Sequence, residues 1–262
     1  MKGLIGAFVC TLLGIELLCS AQFAIAASHD SLRMKRILVL GDSVSEGFML
    51  NRNEAYPMLL IEKLRAAGLN YEVINASQSG GTTEGGLRRL PLHLKRKIDI
   101  FILELGINDA FRGIPIGEIR ANLQEIIDRV RRANPNVRVV ICGMQLPNSP
   151  ADGYVSEFGK MYVDLAAKNN AALVPYLLEG VAGDPLLNLP DRIHPNAAGH
   201  KILVENVWRI LEPIAREMEG RAFHEPTVQS VAGAPPSSDF VAHCADCHLF
   251  RQPAGRSRPL NK

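Results

Sequence analysis

One serine and one histidine stand in surroundings that suit nucleophilic catalysis. Ser43 follows an apolar run and lies in the segment GDSVSEG at residues 41–47. Asp191 precedes His194 by three residues, so its carboxylate can hold one ring nitrogen while the other accepts a proton from a hydroxyl. A serine hydroxyl activated in this way attacks ester and thioester carbonyls. The three side chains therefore predict acyl transfer, provided that the fold brings them together.

Two more residues could stabilise the negative charge that such an attack places on the carbonyl oxygen. Asn108 follows a second apolar run, and its amide is the kind of donor whose loss lowers turnover about 10²–10³-fold. Gly80 follows a third run, and its backbone N–H can approach an anion closely because no side chain intervenes. Both residues predict an oxyanion hole near Ser43.

Each of these motifs also has a plain structural interpretation. Gly-Asp-Ser is a common helix-capping turn, Asn-Asp a common turn at the end of a strand, and Asp-x-x-His a common hydrogen bond within a loop. The glycines near residue 80 lack the lysine of a phosphate-binding loop. His194 has no further ligand nearby at metal-binding spacing, so we expect no metal.

The predicted elements favour the catalytic interpretation, because every motif follows a strand or precedes the last helix. Short β-branched runs predict strands at residues 36–40, 71–75, 98–103, 137–142 and 172–175. Helical spacing of apolar residues predicts helices at 56–67, 116–133, 153–169 and 196–217. Apolar strands that alternate with helices are typical of a parallel sheet covered on both faces. We predict an α/β fold, a three-layer α/β/α sandwich with a five-stranded parallel sheet in flavodoxin-like order, and a site at the carboxyl ends of its strands.

Length and composition agree with one catalytic domain flanked by two appendages. The chain has 262 residues, 47% of them hydrophobic and 21% charged, which suffices for a sizeable core. Its net charge is only +2, which argues against a protein that coats nucleic acid or an anionic membrane. We assign residues 34–217 to the catalytic domain.

Residues 1–26 have the pattern of a secretory signal peptide. Lys2 precedes an uncharged apolar stretch, and the segment ends in small residues that fit cleavage after Ala26, with a cut near Ala21 as an alternative. An uncleaved anchor helix is the competing interpretation, because the stretch approaches membrane-spanning length. Cleavage predicts a periplasmic or secreted protein without a membrane span.

The last segment, residues 218–262, is predicted to be a flexible tail with chemistry of its own. It contains a linker rich in proline and serine and then the sequence Cys244-Ala-Asp-Cys247-His248. The C-x-x-C-H pattern is that of covalent haem attachment, yet no methionine follows it as a distal ligand. A disulfide, an inert remnant or, with His243, a zinc site are the alternatives.

Taken together, the motifs of the catalytic domain resemble the four signature blocks of the SGNH hydrolases, also called GDSL esterases or lipases. The resemblance extends over residues 35–215 and is nearest to the periplasmic branch of multifunctional acyl-CoA thioesterases, lysophospholipases and arylesterases. Two positions depart from the family pattern without removing a catalytic group: Gly81, where many relatives have aspartate, and Ala110, where glycine is frequent. The matching blocks are Gly41-Asp42-Ser43, Gly80, Gly106-x-Asn108-Asp109 and Asp191-x-x-His194-Pro195.

The resemblance implies a role for each residue of the site. Ser43 would be the nucleophile, His194 the base and Asp191 the residue that orients the base. The N–H groups of Ser43 and Gly80 and the amide of Asn108 would form the oxyanion hole. By the same analogy four apolar side chains would contact the acyl chain, although residues of this type serve packing equally well. These are Ile107, Phe111, Leu146 and Pro147.

The implied enzyme is an exported serine esterase that hydrolyses aryl esters, short-to-medium acyl esters, thioesters and lysophospholipids. It would need no cofactor, and its partner would be a small-molecule acyl ester or thioester rather than nucleic acid. Two alternatives stay open: a carbohydrate O-acetylesterase on the same fold, and a haem-binding or redox protein that uses the tail.

Three further polar or reactive side chains have expected structural roles. Glu104, a carboxylate in an otherwise apolar strand, is expected to pair with a cation. His200, in the last helix, is expected to be a hydrogen-bonded packing residue, and Cys142 a small buried hydrophobe.

Overall fold

A computed structural model describes residues 33–147 and 153–220 of the chain. The predicted signal peptide at residues 1–26 lies outside the described residues, as does the tail beyond residue 220 with Cys244, Cys247 and His248.

Five parallel strands form one sheet in the order β2-β1-β3-β4-β5. The register sets Ile37 of the first strand opposite Val73 of the second and Ile100 of the third. This sheet confirms the predicted α/β class and the flavodoxin-like strand order. The strands are β1 (Lys35–Leu40), β2 (Tyr71–Asn75), β3 (Ile100–Leu103), β4 (Arg138–Cys142) and β5 (Ala172–Val174).

Seven α-helices occur in the described residues, three of them very short. Two short 3-10 helices also occur: Arg52–Glu54 before the second α-helix and Leu90–Leu92 after the third. The helices are α1 (Ser43–Glu46), α2 (Tyr56–Ala66), α3 (Thr83–Arg89), α4 (Ile107–Phe111), α5 (Ile116–Ala133), α6 (Gly153–Lys168) and α7 (Ala197–Met218).

The strand order decides which face of the sheet each helix covers. The chain moves one way along the sheet from β1 to β2 and the other way from β2 to β3, β4 and β5. Because such crossovers are right-handed, α2 lies on one face and α3, α5 and α6 on the other. The helix contacts agree, since α2 packs against α7, while α5 packs against both α3 and α6.

The core is built from the strands and from one stripe of each long helix. Residues 37–40 of β1 are fully buried, as expected for a central strand covered on both sides. In α5 the apolar stripe predicted from the 3.6-residue period is buried at every position. Its members are Ile119, Leu123, Ile126, Ile127 and Val130.

None of the helices between residues 33 and 147 or between 153 and 220 is both long and apolar enough to cross a membrane.

Candidate active site

The nucleophile turn is shaped by the residues on both sides of Ser43. Asp42 caps α1, and its side chain accepts the Val44 N–H at 3.0 Å. Ser43 is the first helical residue, so it lies directly at the carboxyl end of β1. Gly41 must lack a side chain, because a Cβ there would lie 2.4 Å from Ser45 Oγ. The Gly-Asp-Ser sequence thus both caps the helix and positions the serine hydroxyl at the end of β1.

The fold brings Ser43, His194 and Asp191 into one hydrogen-bonded chain. His194 Nε2 lies 2.9 Å from Ser43 Oγ, and His194 Nδ1 lies 2.7 Å from Asp191 Oδ2. The other carboxylate oxygen, Asp191 Oδ1, accepts the backbone N–H groups of Ile193 at 2.9 Å and His194 at 3.0 Å. Asp191 therefore holds both the ring and the backbone of His194 in position.

The hydrogen bonds around Asp191 favour its ionised form. Partial burial of the carboxyl raises its pKa, but the hydrogen bonds from His194 and Ile193 outweigh that effect and hold the pKa below its usual value. An ionised carboxylate at Nδ1 selects the tautomer that leaves Nε2 free to accept a proton from Ser43.

Phe48 is a site residue that the sequence motifs did not indicate. Its ring packs against the His194 ring at a centroid distance of 4.6 Å. The backbone N–H of Phe48 donates to the Ser43 carbonyl at 3.0 Å, so this contact links the histidine to the nucleophile turn.

The residues predicted to form the oxyanion hole lie at the ends of neighbouring strands. Gly80 follows β2 with a φ of +70°, a conformation that glycine adopts without strain. The N–H groups of Ser43 and Gly80 donate to no acceptor in the described part of the chain. Asn108 lies in the first turn of α4, and its Nδ2 donates to Asp42 Oδ2 at 3.0 Å and to the Gly81 carbonyl at 3.2 Å. The amide thus joins the two loops that carry Ser43 and Gly80.

Asp109 connects the helix that carries Asn108 to the segment that follows Gly80. This buried carboxylate accepts the Thr83 N–H at 2.9 Å and the Thr83 hydroxyl at 2.6 Å. Asn122, from α5, donates to the same hydroxyl at 3.1 Å. The α4 turn that carries Asn108 is therefore bound to the start of α3, directly after the Gly80 loop.

Two exposed side chains also bind the Gly80 loop. Glu46 Oε2, at the end of α1, accepts the Ser79 N–H at 2.7 Å and the Ser79 hydroxyl. Arg112 donates to the Gly80 carbonyl at 3.1 Å. Neither contact could be predicted from the sequence, because each joins loops that are distant along the chain.

Glu104 has a different environment from the one expected. No arginine or lysine pairs with it in the described residues; Oε2 instead accepts the Asp42 N–H at 3.1 Å and the Ser45 hydroxyl at 2.8 Å. Arg89 donates to the Gly41 carbonyl at 2.6 Å rather than to the carboxyl. The prediction that Glu104 pairs with a cation is therefore wrong, because hydrogen-bond donors of the nucleophile turn contact its carboxyl group instead.

The two buried acids beside Ser43 influence each other. Burial raises the pKa of Asp42 to about 6, although the Val44 N–H, the His194 charge and Asn108 all lower it. Burial, reinforced by the charge of Asp42, raises the pKa of Glu104 well above its usual value. Ionisation of Asp42 therefore favours the protonated form of Glu104.

The four residues predicted to contact an acyl chain lie after β3 and β4. Ile107 is buried in the core at the start of α4, while Phe111 at the other end of that helix is 59% exposed. Leu146 is half-buried and Pro147 exposed in the segment that follows β4. All four lie beyond the carboxyl ends of their strands, on the same edge of the sheet as Ser43.

His200 and Cys142 occupy the core rather than the site. His200 is 1% exposed, and its Nδ1 accepts the Tyr56 N–H at 3.0 Å. Cys142 is a free, fully buried cysteine, and burial raises its thiol pKa. Both findings confirm the expected packing roles.

Comparison with known proteins agrees with this architecture. The model of the GDSL-like Lipase/Acylhydrolase family matches residues 39–202. Esterase TesA of Pseudomonas aeruginosa is 36% identical over 76% of this chain and 98% of its own length. The arylesterase of Vibrio mimicus is 35% identical over 70% and 89%, respectively. Thioesterase 1/protease 1/lysophospholipase L1 of Escherichia coli K12 is 33% identical over 72% and 86%.

Solved structures give the same result. The crystal structure of TesA is 38% identical, covers 69% of this chain and 99% of its own, and has a TM-score of 0.65. AlinE4, an SGNH-hydrolase family esterase, is 37% identical, covers 69% and 96%, and has a TM-score of 0.57. The chain therefore belongs to the GDSL-like lipase/acylhydrolase family and is a carboxylic ester hydrolase of the SGNH type.

Proposed function

We propose that this protein is an exported serine esterase that hydrolyses esters and thioesters through an acyl-enzyme on Ser43. The observation that carries the proposal is the continuous hydrogen-bonded chain from Ser43 Oγ through the His194 ring to Asp191. The geometry is that of a nucleophile, a base and a group that orients the base.

The reaction would have two halves. Ser43 Oγ attacks the acyl carbon while His194 Nε2 accepts the hydroxyl proton, and Nε2 then passes this proton to the departing alcohol or thiol. Water next attacks the acyl-enzyme, loses a proton to Nε2 and releases the carboxylic acid, after which the proton returns to Ser43 Oγ. Asp191 stays ionised and stabilises the imidazolium in both halves.

Three hydrogen-bond donors would stabilise the oxyanion. The N–H groups of Ser43 and Gly80 have no acceptor in the described structure and are free for a ligand. Asn108 Nδ2 supplies the third, and of its two present bonds the longer one, to the Gly81 carbonyl, is the one that the oxyanion would replace.

The proposed substrates are aryl esters, short-to-medium acyl esters, thioesters and lysophospholipids, without a cofactor. The names of the arylesterase and of the thioesterase 1/lysophospholipase L1 support this range. The signal-peptide pattern of residues 1–26 supports a periplasmic or secreted location.

A series of p-nitrophenyl esters with growing acyl chains, hydrolysed by the wild type and by Ser43→Ala, tests the mechanism. We expect the variant to lose at least about 10³-fold in kcat, because no other group supplies the nucleophile. Ser156→Ala, at an exposed position of α6, is the matched control and should retain full activity. Near-wild-type turnover by Ser43→Ala would refute the mechanism.

Covalent labelling tests the acyl-enzyme independently. Ser43 Oγ should attack the phosphorus of a fluorophosphonate and displace fluoride, so the tryptic peptide with Ser43 should gain the mass of the phosphonyl group. A preference for acetylated glycans over esters with longer acyl chains would instead identify a carbohydrate O-acetylesterase.

A further inference from the structure

A cleft of about 450 Å³ opens beside the turn that carries Ser43. Two segments form its walls: residues 46–50 with Arg52, which follow β1, and Asn75, the last residue of β2, with Ser77 and Ser79 beyond it. None of the residues predicted to contact the acyl chain lines it. The cleft therefore adjoins the nucleophile turn but is separate from the predicted acyl contacts, and the proposed reaction does not yet use it.

The sheet order places this cleft opposite the predicted acyl side. β1 lies between β2 and β3, so segments that follow β2 and segments that follow β3 flank Ser43 on opposite sides. The predicted acyl contacts all follow β3 and β4, whereas the cleft is confined to the ends of β1 and β2.

The contact between Phe48 and His194 relates the cleft to the reaction. Phe48 lines the cleft, and its ring packs on the His194 ring at 4.6 Å. His194 is the group that would protonate the leaving alcohol or thiol, so the leaving group must stay next to this ring. The cleft thus lies on the leaving-group side of Ser43.

The lining of the cleft contains one cation, Arg52, and one carboxylate, Glu46. Arg52 is exposed and forms no hydrogen bond or ion pair with any residue in 33–147 or 153–220. The acid in the same wall, Glu46, already accepts two hydrogen bonds from Ser79. The acid next to the wall, Glu54, accepts two from Asn51.

The remaining lining suits a leaving group that has both a polar and an apolar part. Ser77 Oγ is shielded from solvent and lacks a hydrogen-bond partner in the described structure. Phe48, Met49 and Leu50 supply apolar surface, with Met49 79% exposed. A small polar linker that ends in a phosphate would meet all three features.

Resting on the proposed function, we propose that this cleft binds the leaving group and that Arg52 binds a phosphate carried by it. A guanidinium matches phosphate geometry with two parallel hydrogen bonds, which a free arginine at a cleft mouth is placed to make. The same chemistry would serve the glycerophosphate of a lysophospholipid or the phosphates of a coenzyme A thioester.

Substrate pairs that differ in phosphate but share an acyl chain test this inference. The first pair is 1-octanoylglycerol and its 3-phosphate, used below their micellar concentrations. The second is the octanoyl thioester of N-acetylcysteamine and octanoyl-coenzyme A. We expect Arg52→Gln to lower kcat/KM about tenfold for the phosphate-bearing member of at least one pair, mainly through KM, and to leave the phosphate-free member within twofold. Whichever pair responds identifies the source of the phosphate.

Arg65→Gln is the matched control, because it removes the same charge from an exposed arginine at the far end of α2. It should leave both pairs unchanged. Equal losses on both members of each pair, or no loss on any, would overturn the assignment of Arg52. Activity retained by Ser43→Ala would instead overturn the proposed function, so the two failures are distinguishable.

Discussion

At the scale of single residues, the nucleophile turn depends on two buried acids. Asp42 caps the helix that begins with Ser43, and Glu104 accepts hydrogen bonds from the Asp42 N–H and from the hydroxyl of Ser45, two residues after that serine. Burial opposes the ionised form of both carboxylates, and the repulsion between them adds to that cost. Burial and the charge of Asp42 raise the pKa of Glu104 well above its usual value, which favours the protonated form of Glu104. Glu104 therefore acts as a neutral hydrogen-bond acceptor.

This neutrality predicts how the turn responds to substitution of Glu104. Glu104→Gln keeps a side-chain oxygen for Asp42 and Ser45, so we expect the free energy of unfolding to change by less than about 1 kcal/mol at pH 7. Glu104→Ala leaves both donors unpaired beside a cavity and should cost about 2–4 kcal/mol. Urea unfolding of both variants measures this, with exposed Glu118→Ala as the control. Equal destabilisation by Gln and Ala would mean that a charged carboxylate is required.

The sequence indicates those site residues whose own chemistry is distinctive. Ser43 and His194 are recognisable because a nucleophile and a base need particular side chains. Glu46 and Glu104 act through their position instead, and carboxylates of this kind occur throughout any chain. Their roles depend on loops that only the fold brings together, so no local pattern could predict them.

At the scale of elements, prediction succeeded where a periodic pattern reflects burial. The stripe of α5 and the apolar strands were predicted within about two residues, and β5 ends at Val174 because Pro175 has no N–H to continue the ladder. The short helix α3 was missed, since its sequence TEGGLRR contains two glycines and no stripe. Gly86 is needed there because a Cβ would lie 2.6 Å from Leu105 Cδ1. Tertiary packing, not helix propensity, thus determines α3.

The contact between α7 and α2 should make stability depend on pH. His200 of α7 accepts the Tyr56 N–H at the start of α2, and burial lowers the pKa of His200 from 6.5 to about 4. The unfolded chain binds the proton first, so stability is complete above pH 6.5 and falls as the pH drops towards 4. This histidine should contribute about 3 kcal/mol to the loss.

His200→Asn keeps an acceptor near the Nδ1 position but does not titrate. Urea unfolding between pH 7 and 4 should therefore give a shallower pH dependence for the variant than for the wild type. Acids such as Asp191, whose pKa is lowered, contribute equally to both proteins and cancel in the difference. Parallel curves would show that His200 does not carry the effect.

At the scale of the whole molecule, the five cysteines of the chain separate into three groups. Cys10 and Cys19 lie in the predicted signal peptide, Cys142 is free and buried in the core, and Cys244 and Cys247 lie in the tail. The proposed export would place the tail pair in an oxidising compartment, where we expect two cysteines at this spacing to form a disulfide unless haem or zinc binds them first.

Counting thiols in the full-length exported protein distinguishes these fates. We expect a maleimide to modify only Cys142 in the denatured chain before reduction, and Cys142, Cys244 and Cys247 after reduction, because a disulfide hides two thiols that dithiothreitol releases. Covalent haem would leave a single reactive thiol in both states and add a Soret band, since thioether bonds resist reduction. Three thiols before reduction would contradict the disulfide, and a zinc ion released on denaturation would then identify the metal site. The esterase activity measured on the same sample should not depend on the outcome, because no residue of the proposed triad lies beyond His194.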